Sequence, residues 1–164
     1  MSQDVLARAK IREKGHWYED FEPGQTFVHH WGRSFSQAEN ALFSSLTLHF
    51  NPQYTNLEFA RAMGHPDPPI NPLLVFNTVF GLSVQDLSEH GTAFLGVNEL
   101  SYGKPLYPGD TIFARSTVLE KRTSSSRKDQ GIVGWHTQGF NQHEALVCEF
   151  KRSNLIFLRQ AIAS

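Results

Sequence analysis

The sequence is organised around the stretch from Leu48 to Gly91, which reads LHFNPQYTNLEFARAMGHPDPPINPLLVFNTVFGLSVQDLSEHG. It joins the densest cluster of polar reactive side chains to the most apolar segment of the chain. The Asn51-Pro52 step breaks regular structure, so we expect an irregular loop there. Asn56 is a suitable N-cap for a short helix from Leu57 to Met63, and Gly64 is a suitable residue to end that helix.

A proline-rich turn follows and leads into a long apolar helix. Three prolines between residues 66 and 69 remove backbone donors and fix φ, which excludes a helix in the turn. Asn71 and Pro72 are typical of an N-cap and a first helical residue, and we expect the helix to reach about His90, with Gly91 as its C′ residue. It is apolar almost all round, as buried or membrane-spanning helices are. Polar residues interrupt the segment before it could span a membrane: Asn77, Ser83, Gln85 and Asp86. We therefore predict the central buried helix of a soluble domain.

Composition excludes several classes of protein. The 164 residues are enough for one domain with its own core, and we divide them into an N-terminal extension, residues 1–15, and a single domain, residues 16–164. The formal net charge of −1 provides no basic field for nucleic acid or an anionic membrane. The single cysteine, Cys148, lies in an alternating run and is expected to be a buried strand thiol. The first 15 residues lack an apolar signal segment, so we expect a cytoplasmic protein; Val5 to Glu13 could form a short helix.

The flanking segments predict a second helix and several strands. Ser36 and Glu39 form a capping box, which starts a helix with Ala38, Leu42, Phe43 and Leu46 on its apolar side. His29 and His30 are adjacent in a strand-like segment, so their side chains should face opposite sides and serve structural or solvent-facing roles. The strand candidates are Gln25 to Trp31, Thr92 to Tyr102, Asp110 to Lys121, Ile132 to Phe140 and Ala145 to Leu158. Gly96 suggests a β-bulge. The count predicts an α+β fold.

This order of elements resembles the MaoC-like hydratase and dehydratase family, which has the hot-dog fold. The ordered set includes Leu106 to Thr111, LYPGDT, between two of the strands. Within the family the chain is most similar to the mesaconyl-CoA hydratases, also called β-methylmalyl-CoA dehydratases, through Trp17 to Gly24 and Trp135 to Gln142. The resemblance covers about Trp17 to Leu158. It implies a curved antiparallel sheet wrapped around the central helix. It also implies a homodimer or a higher homo-oligomer, in which the sheets of two subunits join edge to edge with the active sites at the subunit boundary.

The resemblance also implies an acyl-CoA substrate, with water added across or removed from a 2-enoyl thioester. The family motif is an acid, any residue, Asn, Pro, any residue and a histidine. Asn51 and Pro52 match it, but His49 takes the position of the acid and Tyr54 that of the histidine. A later acidic position is Asn56. The scaffold of the motif is therefore present, while its reactive groups are altered.

Two interpretations of the altered motif stay open. In the catalytic one, His49 replaces the carboxylate as general base, Tyr54 orients water or supplies a proton, and Asn51 fixes the water or the loop. In the other, these side chains pack and hydrogen-bond in a degenerate site of a non-catalytic subunit, which pairs with a catalytically complete hot-dog partner. An acyl-CoA thioesterase is a further alternative, and it would need a carboxylate such as Glu58 or Asp67 to direct water.

Substrate contacts are expected at the start of the long helix. The family stabilises the enolate oxygen with backbone amides there, but Pro72 has no N–H, so the donor would be Leu73 N–H or the Asn71 side chain. A dicarboxylic substrate such as mesaconyl-CoA also needs a cation, for which Arg61 ranks ahead of Arg33 and Arg115. Lys104 and Arg122 are candidates for CoA phosphates. The sequence lacks the spacing of a metal site, and we expect no cofactor beyond the CoA thioester itself.

Overall fold

The computed structural model describes residues 14–162, which form one antiparallel sheet and three α-helices. The strands are β1 Thr26–Val28, β2 Arg33–Ser34, β3 Gly91–Tyr102, β4 Thr111–Thr123, β5 Gln130–Asn141 and β6 Leu146–Phe157. The helices are α1 Gln37–Leu46, α2 Leu57–Ala62 and α3 Pro72–Leu87, with 3₁₀ turns at Tyr18–Asp20, Pro52–Tyr54 and Arg159–Ile162. The α+β class is confirmed. The predicted helix Val5 to Glu13 lies outside the described residues, and the division at residue 15 stays a prediction.

The sheet has the order β1-β4-β5-β6-β3, and the short β2 also pairs with β4. All of these pairs are antiparallel. The edge strand β3 changes register against β6 between Phe94 and Gly96, where Gly96 has a φ of 152°. This confirms the predicted bulge, because a positive φ costs glycine little. The four long strands thus form one continuous surface for the helix to pack on.

Helix α3 packs on that surface with one side. Asn71 is its N-cap and Pro72 its first residue, as predicted. Its buried apolar residues share a core with strand residues from β4 and β6: Leu74, Val75, Val79, Ile112, Ala114, Val147, Cys148 and Phe150. Each buried aliphatic side chain contributes about 1.5–3 kcal/mol of transfer free energy. The opposite side, with Leu73, Asn77 and Gly81, is exposed, so the helix is central but not buried all round. No helix in residues 14–162 has the length and apolarity that a membrane crossing requires.

The end of α3 differs from the prediction. The helix ends at Leu87 rather than near His90, and Ser88 N–H donates to Val84 O as the cap. The sheet takes the backbone that a longer helix would need, because Phe157 N–H donates to His90 O at 3.1 Å and Gly91 pairs with Ile156 as the first residue of β3. Gly91 is therefore a strand residue and not a C′ residue.

The paired histidines and the cysteine lie as their patterns predict. His29 is buried and His30 is exposed. The His29 ring contacts Asp86 Oδ2 at 2.6 Å and Ser116 Oγ at 2.9 Å, which joins the end of β1 to α3 and β4. Cys148 is fully buried, and burial raises the pKa of its thiol to about 12. The contacts of His29 and the burial of Cys148 therefore indicate structural roles for these two side chains.

Candidate functional site

A tight loop presents His49 after α1. Leu48 has a φ of 56°, which turns the chain back so that His49 N–H donates to Ser44 O at 2.8 Å. Asn51 then caps the 3₁₀ turn Pro52–Tyr54, since its Oδ1 accepts from Gln53 N at 3.0 Å. Asn51 was expected to fix either the water or the loop, and its hydrogen bond to Gln53 N–H fixes the loop.

Asn71 links this loop to α3. Its Oδ1 accepts from Leu73 N–H at 3.0 Å, and its Nδ2 lies 3.1 Å from Ser44 Oγ and 2.9 Å from His49 Nδ1. Asn71 is fully buried, and an amide nitrogen can only donate. His49 Nδ1 is therefore the acceptor of this bond. The predicted donor Leu73 N–H is committed to the helix cap.

Asn40, in α1, hydrogen-bonds to three segments of the site: the 3₁₀ turn, the proline-rich turn and the start of α3. Its Nδ2 donates to Tyr54 O at 3.0 Å and to Pro69 O at 2.9 Å, while its Oδ1 accepts from Asn71 N–H at 2.8 Å. The side chain is fully buried, and all of its hydrogen-bonding atoms have partners. The sequence interpretation missed this residue.

The reason is that α1 buries mainly residues outside the predicted apolar side. Its buried residues are Asn40 and Ser44, one helical turn apart, whereas Leu42 and Leu46 are 59% and 75% exposed. Of the predicted side, Phe43 packs against the core, so apolar periodicity identified the buried face of α1 only in part. A polar pair spaced i, i+4 on an amphipathic helix was the available signal, and only its tertiary partners reveal its use.

Tyr54 lies against His49, with a T-shaped ring contact at 5.3 Å between centroids. Burial raises the pKa of its phenol, which keeps the hydroxyl protonated at neutral pH. Tyr54 borders a cavity of about 290 Å³ beside the start of α3. Its other lining residues include His65, Pro72, Val75, Tyr102, Lys104 and Val147. Burial also raises the pKa of Tyr102, to about 12. The cavity has apolar walls with a few polar groups, as small-molecule sites do.

His65 is the imidazole that lines this cavity. Its Nδ1 lies 3.0 Å from Tyr107 Oη, and its Nε2 lies 3.2 Å from Gln53 Nε2. The sequence interpretation treated His65 as part of the proline-rich turn only. The turn brings it back beside Tyr54, so the structure assembles a polar rim that the spacing of residues did not suggest.

Arg61 does not reach the cavity. Its guanidinium pairs with Glu58 at 3.5 Å on α2, its side chain is 55% exposed, and it is not among the lining residues. The expectation that Arg61 meets a substrate carboxylate therefore has no support in the geometry. Lys104, which was expected to meet CoA phosphates, is the exposed cation at the rim of the cavity.

An antiparallel sheet packed on a central helix, with a polar loop at the N-terminus of that helix, defines a MaoC-like hot-dog domain. A sequence model described as mesaconyl-CoA hydratase matches residues 1–164. The mesaconyl-CoA hydratase of Haloarcula hispanica is 36% identical over 162 residues, which cover 98% of this chain and 45% of that protein. The chain therefore belongs to the mesaconyl-CoA hydratase family.

Two matches from Chloroflexus aurantiacus, one of sequence and one of structure, extend the comparison. The β-methylmalyl-CoA dehydratase is 37% identical over 84% of this chain and 39% of its own length. A crystal structure of a MaoC domain protein dehydratase superposes with a TM-score of 0.85 at 35% identity, and the match covers 92% of this chain and 42% of that chain. The hot-dog prediction is confirmed. The chain spans less than half the length of these relatives.

Proposed function

We propose that this chain is a hot-dog unit of an acyl-CoA hydratase or dehydratase. The reaction is the addition of water to a 2-enoyl-CoA or its removal, and the substrate is a branched dicarboxylic thioester such as mesaconyl-CoA or β-methylmalyl-CoA. The observation that carries the proposal is the cluster of His49, Tyr54 and Asn71 at the start of α3 in a chain of this family. The proposal includes no cofactor other than the CoA thioester, and a cytoplasmic location.

Hydration requires three kinds of group around the substrate. A base takes a proton from water as its oxygen bonds to the β-carbon, and the π electrons move toward the α-carbon and the thioester oxygen. A donor stabilises that oxygen, and an acid then protonates the α-carbon. Tyr54 can be the acid, because its raised pKa leaves the phenol protonated. His65, which lines the same cavity, is the imidazole we propose as the base; its Nε2, which lies 3.2 Å from Gln53 Nε2, would have to exchange that amide for water.

The free carboxylate of a dicarboxylic substrate needs a cation at the cavity. Lys104 stands at its rim, in an exposed position. We propose Lys104 for this contact in place of Arg61, which pairs with Glu58 on α2.

A homodimer is the proposed assembly. The edge strand β3 exposes several large apolar side chains, among them Phe94 at 51% and Leu95 at 48%. Natural sheets cover or pair such edges, and edge-to-edge pairing would also bury these side chains. Light scattering at micromolar concentration should give twice the monomer mass, and a clean monomer mass would contradict the dimer.

A second candidate is an acyl-thioester-binding unit that works with a catalytically complete hot-dog partner. The observation that favours it is the motif itself, in which His49 and Tyr54 stand where the family has an acid and a histidine. The base would then come from the partner. The thioesterase alternative is weaker, because Glu58 and Asp67 are both exposed and neither lines the cavity.

The deciding experiment follows the enoyl absorbance of mesaconyl-CoA and crotonyl-CoA with the purified protein. We expect hydration, and a loss of about 100-fold or more in the His49→Ala, Tyr54→Phe double variant. His143→Ala, in the exposed turn after β5, is the matched control and should be fully active. Activity that survives the double substitution would refute the site. Activity that appears only after a hot-dog partner is added would select the second candidate.

A further inference from the structure

We infer that His49 donates a hydrogen bond from Nε2–H to the thioester carbonyl oxygen and does not act as the general base. The inference rests on the proposed function, because it requires that a CoA thioester bind here. It applies to both candidates, since an active unit and a binding unit each need a donor for that oxygen. It changes the role that the sequence motif suggests for the imidazole.

The first step is the orientation of the Asn71 amide. Asn71 Oδ1 accepts from Leu73 N–H, and the reversed amide would set its NH₂ group against that N–H. Two donors facing each other in a buried site would leave both without an acceptor, which costs about 1–3 kcal/mol for each group. The helix cap therefore fixes which atom of Asn71 faces His49.

The second step is the tautomer of His49. The atom 2.9 Å from His49 Nδ1 is Asn71 Nδ2, which has hydrogens and no lone pair to offer. Nδ1 must therefore accept, and the neutral imidazole keeps its proton on Nε2. A base that worked through Nε2 would need the other tautomer, and that tautomer would place an N–H on Nδ1 against the amide N–H.

The third step is the use of the Nε2–H group. Within residues 14–162 no hydrogen bond occupies it. The His49 ring is only partly buried; it is not itself among the residues that line the cavity, but it contacts Tyr54, which is. At this end of α3, Pro72 has no N–H and Leu73 N–H is bonded to Asn71 Oδ1, so the first two helical residues offer no donor. Neutral imidazoles polarise substrate carbonyls in other enzymes. His49 thus supplies a side-chain donor beside a helix start whose first two residues offer none.

Nitrogen NMR of the histidine side chains tests the tautomer. In the wild type at neutral pH we expect His49 with its proton on Nε2, identified by the signals lost in His49→Leu. Asn71→Asp keeps the cap to Leu73 N–H but turns a carboxylate oxygen toward Nδ1, so the proton should move to Nδ1 or a second one should bind there. Asn56→Asp makes the same change in an N-cap remote from any histidine contact and should leave His49 unchanged. A proton on Nδ1 in the wild type, or no response to Asn71→Asp, would overturn the inference.

Carbon NMR of butyryl-CoA labelled at the carbonyl tests the contact itself. This saturated thioester cannot be hydrated, so binding is observed without turnover. We expect the carbonyl signal to move downfield on binding to the wild type and to Asn56→Asp, and to stay near its free position in His49→Leu. Binding with the same shift in His49→Leu would overturn the role of His49 while leaving the proposed function intact. Failure of both butyryl-CoA and mesaconyl-CoA to bind at all would overturn the inference and the proposed function together.

Discussion

The N-caps of α2 and α3 are both asparagines, but they differ in burial and in the number of hydrogen bonds that they make. Asn56 Oδ1 accepts from Phe59 N–H at 3.1 Å, and Asn71 Oδ1 accepts from Leu73 N–H at 3.0 Å. Asn56 is exposed and ends its contacts there, whereas Asn71 is fully buried and also bonds Ser44, His49 and Asn40. A cap is a local rule that any helix start can satisfy. The residues that gather around it decide whether it also builds a site.

The largest effect is expected at Asn40, which supports the Asn71 cap. Asn40→Ala leaves Pro69 O and Asn71 N–H without their partners in a buried region, and it leaves Tyr54 O with Gln37 Nε2 as its remaining donor. Each unsatisfied group costs about 1–3 kcal/mol, so the free energy of unfolding should fall by about 3–5 kcal/mol. Urea denaturation measures it. If the free energy of unfolding fell by less than about 1 kcal/mol, buried Asn40 would contribute no more to stability than an exposed helix cap does.

The direct comparison of the two caps should give the next largest difference. Asn71→Ala removes the cap together with the bonds to Ser44 and His49, and we expect the free energy of unfolding to fall by about 2–3 kcal/mol. Asn56→Ala removes the cap alone and should cost about 1 kcal/mol. The same denaturation experiment checks both. Equal losses would show that burial adds nothing to the Asn71 cap.

Buried and half-buried imidazoles extend the comparison to pH. Burial is the largest influence on His29 and lowers its pKa below 6.5, although Asp86 opposes this and Arg152 reinforces it. The unfolded chain then binds more protons than the folded one just below pH 6.5. Stability from His29 is therefore complete above pH 6.5 and is lost as pH falls below it, with a slope of at most about 1.4 kcal/mol per pH unit.

Urea midpoints between pH 5 and 7 measure this slope. His29→Gln should flatten the dependence. An unchanged slope in His29→Gln would contradict the assignment of this slope to His29.

The smallest effect is expected at Asn51, which caps a single exposed 3₁₀ turn. Its Oδ1 accepts only from Gln53 N–H at 3.0 Å, and the residue is exposed. Asn51→Ala should lower the free energy of unfolding by less than about 1 kcal/mol. A loss as large as that of Asn71→Ala would show that the loop, and not the α3 cap, holds the site together.

Local signals in the sequence predicted most of the fold. Asn71-Pro72 identified the start of α3, and the Ser36 and Glu39 capping box identified that of α1. These features depend on backbone groups within a few residues, so no tertiary contact is needed to recognise them. The end of α3 was wrong by about three residues, because the sheet takes the backbone of His90 and Gly91.

The site was less predictable because its contacts join distant segments. The motif position identified His49 and Tyr54, and the structure brings their rings together. Asn40 and His65 were missed, since one lies on the helix face that lacks apolar periodicity and the other in a turn rich in proline. The spacing of residues in a sequence indicates which side chains are neighbours on one helix or strand. The residues of this site come from four separate segments, and only the folded chain brings them together.

A crystal structure of the protein with butyryl-CoA tests the central claim most directly. We expect the acyl group in the cavity beside Tyr54, with the thioester oxygen within about 3.2 Å of His49 Nε2. The Asn71 amide should stay bonded to His49 Nδ1 and Leu73 N–H in that complex. An acyl group bound elsewhere, or a thioester oxygen held by another donor while His49 Nε2 faces water, would contradict it.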